Sequence, residues 1–208
     1  MGLRSRIFAF TYDRFSKGSE EAGLAEMRRN LIAGAGGDVL EIGGGTGANL
    51  GYYGAGVESL TVTEPETPML KRLERKAREQ NSPATVLRAP AEDLPFEDAS
   101  FDTVVSTLVL CGVDDQPRAV RELRRVLRPG GRLIFMEHVR SDDPRVAKMQ
   151  DRMNPVNRFL VCCDCNRRTL DTVRSAGFEV TELERTEFPK APPFVRPLVV
   201  GTATTPVA

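Results

Sequence analysis

Two periods of apolar residues alternate along this chain. Leu24, Met27 and Leu31 stand three and four residues apart, which predicts a helix over residues 20–33 with one face on a core. The glycines of GAGG, residues 34–37, end it. Runs rich in Val, Ile, Leu and Thr predict strands at residues 38–42, 57–63, 85–89, 101–107 and 132–137. Between them, Met69, Leu70, Leu73 and Ala77 mark a helix over 68–80. Val120, Leu123 and Leu127 mark another over 117–127, with Pro117 suited to its first turn. The break LRPGG separates that helix from the strand at 132–137.

Past residue 165 the order changes. A helix over 169–176, capped by Gly177, precedes strands at 178–185 and 197–203. Strand followed directly by strand predicts an antiparallel hairpin at the sheet edge. Residues 140–163 keep neither period and carry Pro144 and Pro155, so an irregular flap or short helices over a site is expected there. Strands parted by helices imply an α/β fold with a mainly parallel, seven-stranded sheet, helices on both faces and an antiparallel C-terminal strand. In such sheets ligands bind beyond the carboxyl ends of the strands, near the point where the strand order reverses. A length of 208 residues suits one domain with a sizeable core.

Charge and composition narrow the function. With 29 basic and 29 acidic residues the formal net charge is zero, which argues against a free-standing nucleic-acid binder. Arg118, Arg121, Arg124, Arg125 and Arg128 form a basic run on one predicted helix, expected to be solvated and paired with nearby acids. No apolar run approaches the roughly 20 residues of a membrane span, and the N-terminal apolar stretch is short for a signal peptide. A cytoplasmic placement without stable membrane insertion is expected. The cysteines, Cys111, Cys162, Cys163 and Cys165, have neither a disulfide framework's spacing nor that of a zinc site, so reduced thiols and no metal are expected.

The chemistry concentrates in VLEIGGGTGANL, residues 39–50. Gly43, Gly45 and Gly47 follow a strand and precede a predicted helix; glycines let a ligand approach the backbone, and a helix N-terminus offers N–H groups to an anion. Gly43, Gly45 and Ala48 also satisfy the dinucleotide pattern. Glu64 ends the second strand, where a carboxylate accepts hydrogen bonds from both ribose hydroxyls. An adenosyl donor and NAD both remain open on these residues alone.

VLEIGGGTG, VTEP, APAEDLPFEDASFDTVVST and LRPGGRLIFMEH, in this order, resemble the class I S-adenosylmethionine-dependent methyltransferases of the type 11 group over about residues 38–140. The resemblance implies a Rossmann-like fold and decides for S-adenosylmethionine, with S-adenosylhomocysteine as product. It implies that Glu41 faces the methionine amino group and that Gly43, Gly45 and Gly47 line the methionine and ribose. Glu64 would hold the ribose, Pro65 and Met69 would flank the adenine, and Ala91 and Glu92 would sit at its edge. Thr107 and Leu108 would lie under the sulfonium. Many relatives have an acid at the position of Pro90, which contacts the adenine amino group, so here Ala91 or Glu92 must substitute or the contact is lost.

TLVLCGVDDQ, FMEHV, CNRRT and VRPLVVGTA resemble more closely the mammalian methyltransferase-like thiol S-methyltransferases and their bacterial relatives. This implies a small-molecule acceptor, a thiol. O-, N- or C-methylation of a natural-product or quinone-like substrate, and a silent adenosyl-binding module, are the rival readings. The mammalian members carry an N-terminal membrane anchor, and no such anchor is expected here. FAFTYDRFSKGSE resembles a family lid in which Tyr12 covers the cofactor. One methyltransferase domain is expected over 1–208: lid and helix to 37, cofactor core 38–140, flap 141–165, C-terminal helix and hairpin 166–208.

Methyl transfer from a sulfonium is an in-line displacement, so alignment supplies much of the rate, and a base serves only an acceptor that must lose a proton. His138, the only histidine, ends a core strand and is the candidate base; a packed structural histidine is the alternative. Asp13 in the lid is a second candidate. Cys111, where many relatives have histidine, and Cys165, which matches a family cysteine near the flap, are candidates for the acceptor pocket with His138.

Overall fold

The computed structural model describes residues 17–207. Tyr12 and Asp13, the expected lid residue and second base candidate, lie outside the described residues. Seven strands form one sheet in the order β3-β2-β1-β4-β5-β7-β6. They are β1 (Gly37–Ile42), β2 (Val57–Thr63), β3 (Thr85–Leu87), β4 (Phe101–Thr107), β5 (Leu127–His138), β6 (Glu179–Glu187) and β7 (Pro197–Thr204). β1 to β5 run parallel, while β7 is antiparallel to both β5 and β6. A π-helical turn, α1 (Glu20–Leu24), leads into α2 (Ala25–Ile32), and α3 (Thr67–Glu79), α4 (Gln116–Val126), α5 (Pro144–Val161) and α6 (Thr169–Ser175) complete the helices.

Strand alternation sends neighbouring side chains to opposite faces, and each face has its own core. Leu40, Ile42, Val104, Leu133 and Phe135 pack with Ala119, Val120 and Leu123 of α4 and with Leu170 and Val173 of α6. Val39, Val105 and Ile134 pack the other way, with Leu73 and Ala77 of α3 and Ile32 of α2. Near the strand ends, Leu24 closes over Met136 and Leu198, joined by Met27 and Leu31 as the helical spacing predicted. The central strand β4 is buried on both faces, the state that a run of β-branched residues suits. From β1 the chain moves out to β2 and β3, then returns to β4 on the other side. The loops after β1 and β4 therefore diverge and leave a crevice at their carboxyl ends.

Three expectations need correction. The Gly-rich loop does not open onto a helix: residues 45–52 form consecutive tight turns, with Gly47 N–H donating to Gly44 O and Tyr52 N–H to Asn49 O. LRPGG does not separate helix from strand; it forms the irregular first part of β5, where the register on β4 jumps between Phe101 and Thr103.

The third correction is the expected flap, which is mostly the single 18-residue helix α5. Asp143 caps it by accepting from Arg145 N–H at 2.8 Å, and Pro144 starts its first turn. Its inward face hides from an apolar count because it is polar. Gln150 Nε2 donates to Val139 O at 2.9 Å and Cys165 O at 2.6 Å. Asn154 Nδ2 donates to Asp164 Oδ1, and Asn157 Nδ2 to Cys163 O. Ala147, Gln150, Asn154 and Asn157 keep helical spacing, but amides rather than methyl groups fasten the helix.

Candidate donor and acceptor site

The loop after β1 is held against β2. Gly44 N–H donates to Thr63 O at 2.9 Å, so close that a Cβ on Gly44 would collide with Val62. Gly45 differs: its φ is +57°, and a Cβ there would meet nothing nearer than Gly43 O at 4.0 Å. The loop thus packs tightly on one side and opens on the other, the shape of a backbone cradle. At the end of β2, Glu64 is buried and grips this loop. Its Oε2 accepts from Gly45 N–H and its Oε1 from Glu66 N–H, both at 2.9 Å. Burial pushes the Glu64 carboxyl up from its ordinary value, while the two amides pull it down.

A second buried carboxylate ends β1. Glu41 Oε1 accepts from Asn49 Nδ2 at 2.8 Å and Oε2 from Tyr53 OH at 2.6 Å. Burial raises its carboxyl, opposed by these two bonds. Asn49 Nδ2 also reaches Thr107 Oγ1 at 2.9 Å, linking β1 to the end of β4. Arg28 of α2 enters the same cluster: Nη1 donates to Asn49 Oδ1 at 3.1 Å and Thr107 Oγ1 at 2.9 Å, and Nε to Glu20 Oε1 at 3.0 Å. Glu41, Thr107, Glu64 and the glycines, expected from sequence to share a site, are therefore together at the carboxyl ends of β1, β2 and β4. Met69 is buried in the first turn of α3, after Pro65.

Leu108 follows with φ +62°, and its N–H donates to Met136 O at 2.7 Å. The turn is shaped by a residue that the sequence reading did not assign. Glu137, fully buried on β5, accepts from Ser106 Oγ at 2.7 Å, from Val109 and Leu110 N–H at 3.0 Å, and from Cys111 N–H at 3.2 Å. Burial raises its carboxyl and these donors oppose the rise. Ala91 is buried, and Glu92 Oε1 accepts from Asp114 N–H at 2.8 Å, so this carboxylate ties one loop to another.

The three residues expected around the acceptor are all buried, Cys111 and Cys165 on either side of the Cys163–Asp164 segment, whose Asp164 N–H donates to Cys111 O at 2.8 Å. His138 is buried with its ring 4.9 Å from that of Phe188, and burial pushes it down to about 4 against hydrogen bonding at the Val195 and Pro197 backbone. Its Nδ1 has no hydrogen-bond partner among the described residues. Cys111 lies on the Glu137 side, its thiol raised well above the ordinary value by the Cys163 side chain and by burial. Cys165 sits under α5, 3.6 Å from Asn154 Oδ1, pushed up to about 12 by burial. Both are protonated thiols. The basic run is paired as expected at three positions: Arg125 of α4 with Glu122 and Asp98, Arg118 of α4 with Asp93, and Arg128, which lies on β5 rather than on the helix, with Asp38 and Asp102.

A family model for the methyltransferase domain, Methyltransf_11, matches residues 40–135. Human thiol S-methyltransferase TMT1B is 37% identical over 179 residues, 82% of this chain and 70% of the relative. This chain belongs to that methyltransferase family. Human thiol S-methyltransferase TMT1A is 34% identical over 170 residues, covering 79% of this chain and 69% of the relative. A SAM-dependent methyltransferase from Thermotoga maritima superposes with a TM-score of 0.74 at 24% identity, covering 99% of this chain and all of that one, a likeness of fold. The protein is a class I, S-adenosylmethionine-dependent small-molecule methyltransferase. The open cradle at Gly45 and the buried acids Glu41 and Glu64 fit an adenosyl donor with a cationic amino group. Among the described residues no helix is long and apolar enough to cross a membrane.

Proposed function

We propose that this methyltransferase transfers a methyl group to the sulfur of small thiols. The observation that carries the reading is the 37% identity to a thiol S-methyltransferase over 82% of the chain. The bound donor would supply an electrophilic methyl on a sulfonium. Glu64 would hold its ribose hydroxyls, Glu41 its amino group, and Pro65, Met69, Ala91 and Glu92 would surround its adenine. Gly43, Gly45 and Gly47 would line its backbone-facing side, with Thr107 and Leu108 beneath the sulfur. The acceptor sulfur gains the methyl as its proton leaves to water or to a weak base.

Site chemistry favours an acceptor that ionises unaided. A phenol titrates near 10 and a thiol at about 8.5, so the thiol presents far more anion at neutral pH. His138, neutral and pushed down to about 4, is a poor base for a hydroxyl acceptor. It offers a hydrogen-bond acceptor instead, at Nδ1. Cys111 and Cys165, both raised by their surroundings, do not compete as thiolates.

Purified protein incubated with methyl-labelled donor and a panel of thiols, phenols and amines tests this. Methyl thioether as the main product supports the proposal. Methylation of phenols or amines alone overturns it, as does product-cofactor binding without any methyl transfer, the behaviour of a silent adenosyl-binding module.

A further inference from the structure

The cluster at the ends of β1 and β4 contains a cation that the resemblance did not assign. Arg28 is only 3% exposed, and α2 carries it into the crevice between the diverging loops. Its Nε and Nη1 are engaged by Glu20, Asn49 and Thr107. Nη2 has no hydrogen-bond partner among the described residues. Glu20 is its one anionic partner among the described residues, and the open Nη2 edge can take a second anion through charge-assisted hydrogen bonds.

Glu41 is not that anion. Its oxygens are taken by Asn49 and Tyr53, and the Asn49 amide stands between the charges, donating to Glu41 and accepting from Arg28. Carboxylate and guanidinium are thus held apart within one polar cluster. A pair of opposite charges separated by one amide complements an α-amino acid zwitterion, with ammonium at Glu41 and carboxylate at Arg28.

We propose that Arg28 is the anion anchor of the donor site, taking the carboxylate of the methionine end through the free edge of its guanidinium. This rests on the adenosyl-donor reading but not on the identity of the acceptor. It assigns to α2 a part in binding: the helix is drawn onto the sheet by the ligand as well as by Leu24, Met27 and Leu31. It also replaces the anion site first expected at a helix N-terminus after the Gly-rich loop, where the chain forms turns instead.

Calorimetry with S-adenosylhomocysteine and with decarboxylated S-adenosylmethionine, which keeps the amino group and lacks the carboxylate, tests the assignment. Arg28→Gln should weaken S-adenosylhomocysteine about tenfold or more, the scale of a charge-assisted pair, and leave the decarboxylated ligand within about twofold. Arg28→Lys should recover part of the first loss and provides the measurement should the glutamine variant not fold. Equal losses for both ligands, or no loss for either, overturn the proposal. Wild-type protein that binds neither ligand overturns instead the donor reading beneath it.

Discussion

The Glu64 carboxylate accepts a hydrogen bond from Gly45 N–H at 2.9 Å, so the acid that ends β2 shapes the loop that follows β1. Its second oxygen is bonded by Glu66 N–H, and each oxygen keeps a lone pair for a ribose hydroxyl. Two outcomes follow for S-adenosylhomocysteine affinity measured by calorimetry. Glu64→Ala should cost about 1.5–3 kcal/mol, the scale of hydrogen bonds to a charged group. Glu64→Gln should cost nearly as much, because its NH2 must face one of two donor amides. Unchanged affinity in a folded alanine variant rejects the ribose assignment.

Gly45 sits on the open side of the same loop at φ +57°. Gly45→Ala meets no neighbour, so its effect on the fold is the left-handed strain alone, about 1–2 kcal/mol. Its methyl group would project into the cradle, so donor affinity should fall further than stability does. Gly51→Ala is the control, since a Cβ there also meets nothing within 4 Å and no left-handed backbone is required. Equal, small effects of both substitutions on donor binding would mean that the cradle faces solvent rather than ligand.

Glu137 predicts a different kind of loss. One carboxylate satisfies the Ser106 hydroxyl and three successive amides, and it is fully buried. Glu137→Ala leaves those donors without an acceptor, and urea unfolding should show a loss on the order of 3 kcal/mol or more. Glu137→Gln keeps one acceptor oxygen and should cost about 1–3 kcal/mol, with KM for the acceptor moving more than donor affinity because the turn at Leu108–Cys111 relaxes. A glutamine variant as stable as the wild type would show that the turn does not depend on the carboxylate.

The strands were legible because their residues leave little choice: FDTVVST cannot hide its β-branched run, and β4 is buried on both faces. Glu41 and Glu64 were legible because strand ends beside a glycine loop place acids at a crevice. α5 was not, since its inward face is Gln150, Asn154 and Asn157, whose amides depend on the carbonyls of residues 139, 163 and 165 and on the Asp164 carboxylate. Arg28 and Glu137 were missed for a related reason. Arg28 finds its partners 8, 21 and 79 residues away and Glu137 finds its own 26–31 residues away, and no helical or strand period announces such contacts. Tyr53 and Asn49 lay within or just after the Gly-rich motif, and only the turns in place of a helix bring them back onto Glu41.

His138 contributes to the acid limb of stability. Its ring is buried against Phe188, and its value falls from the ordinary 6.5 to about 4. Between these two values the unfolded chain binds a proton that the folded chain refuses, so stability rises with pH across the window. The contribution is complete above about pH 6.5, shrinks on acidification, and is lost by about pH 4, in all about 3 kcal/mol at 1.36 kcal/mol per unit. Glu41 and Glu137, raised by burial, work in the opposite sense, because their folded forms hold protons longer than the unfolded chain does. The comparison is therefore made between proteins: the difference in unfolding free energy between wild type and His138→Phe should change between pH 6.5 and 4, the variant losing less on acidification. The same variant decides the role of the imidazole in catalysis. A pH–rate profile for thiol methylation that keeps its shape removes His138 as a base, and a lower rate at every pH with that shape retained fits a hydrogen bond that Nδ1 accepts from the substrate thiol. A difference in unfolding free energy that stays flat across the window would show that the ring reaches water and is not held neutral by the fold.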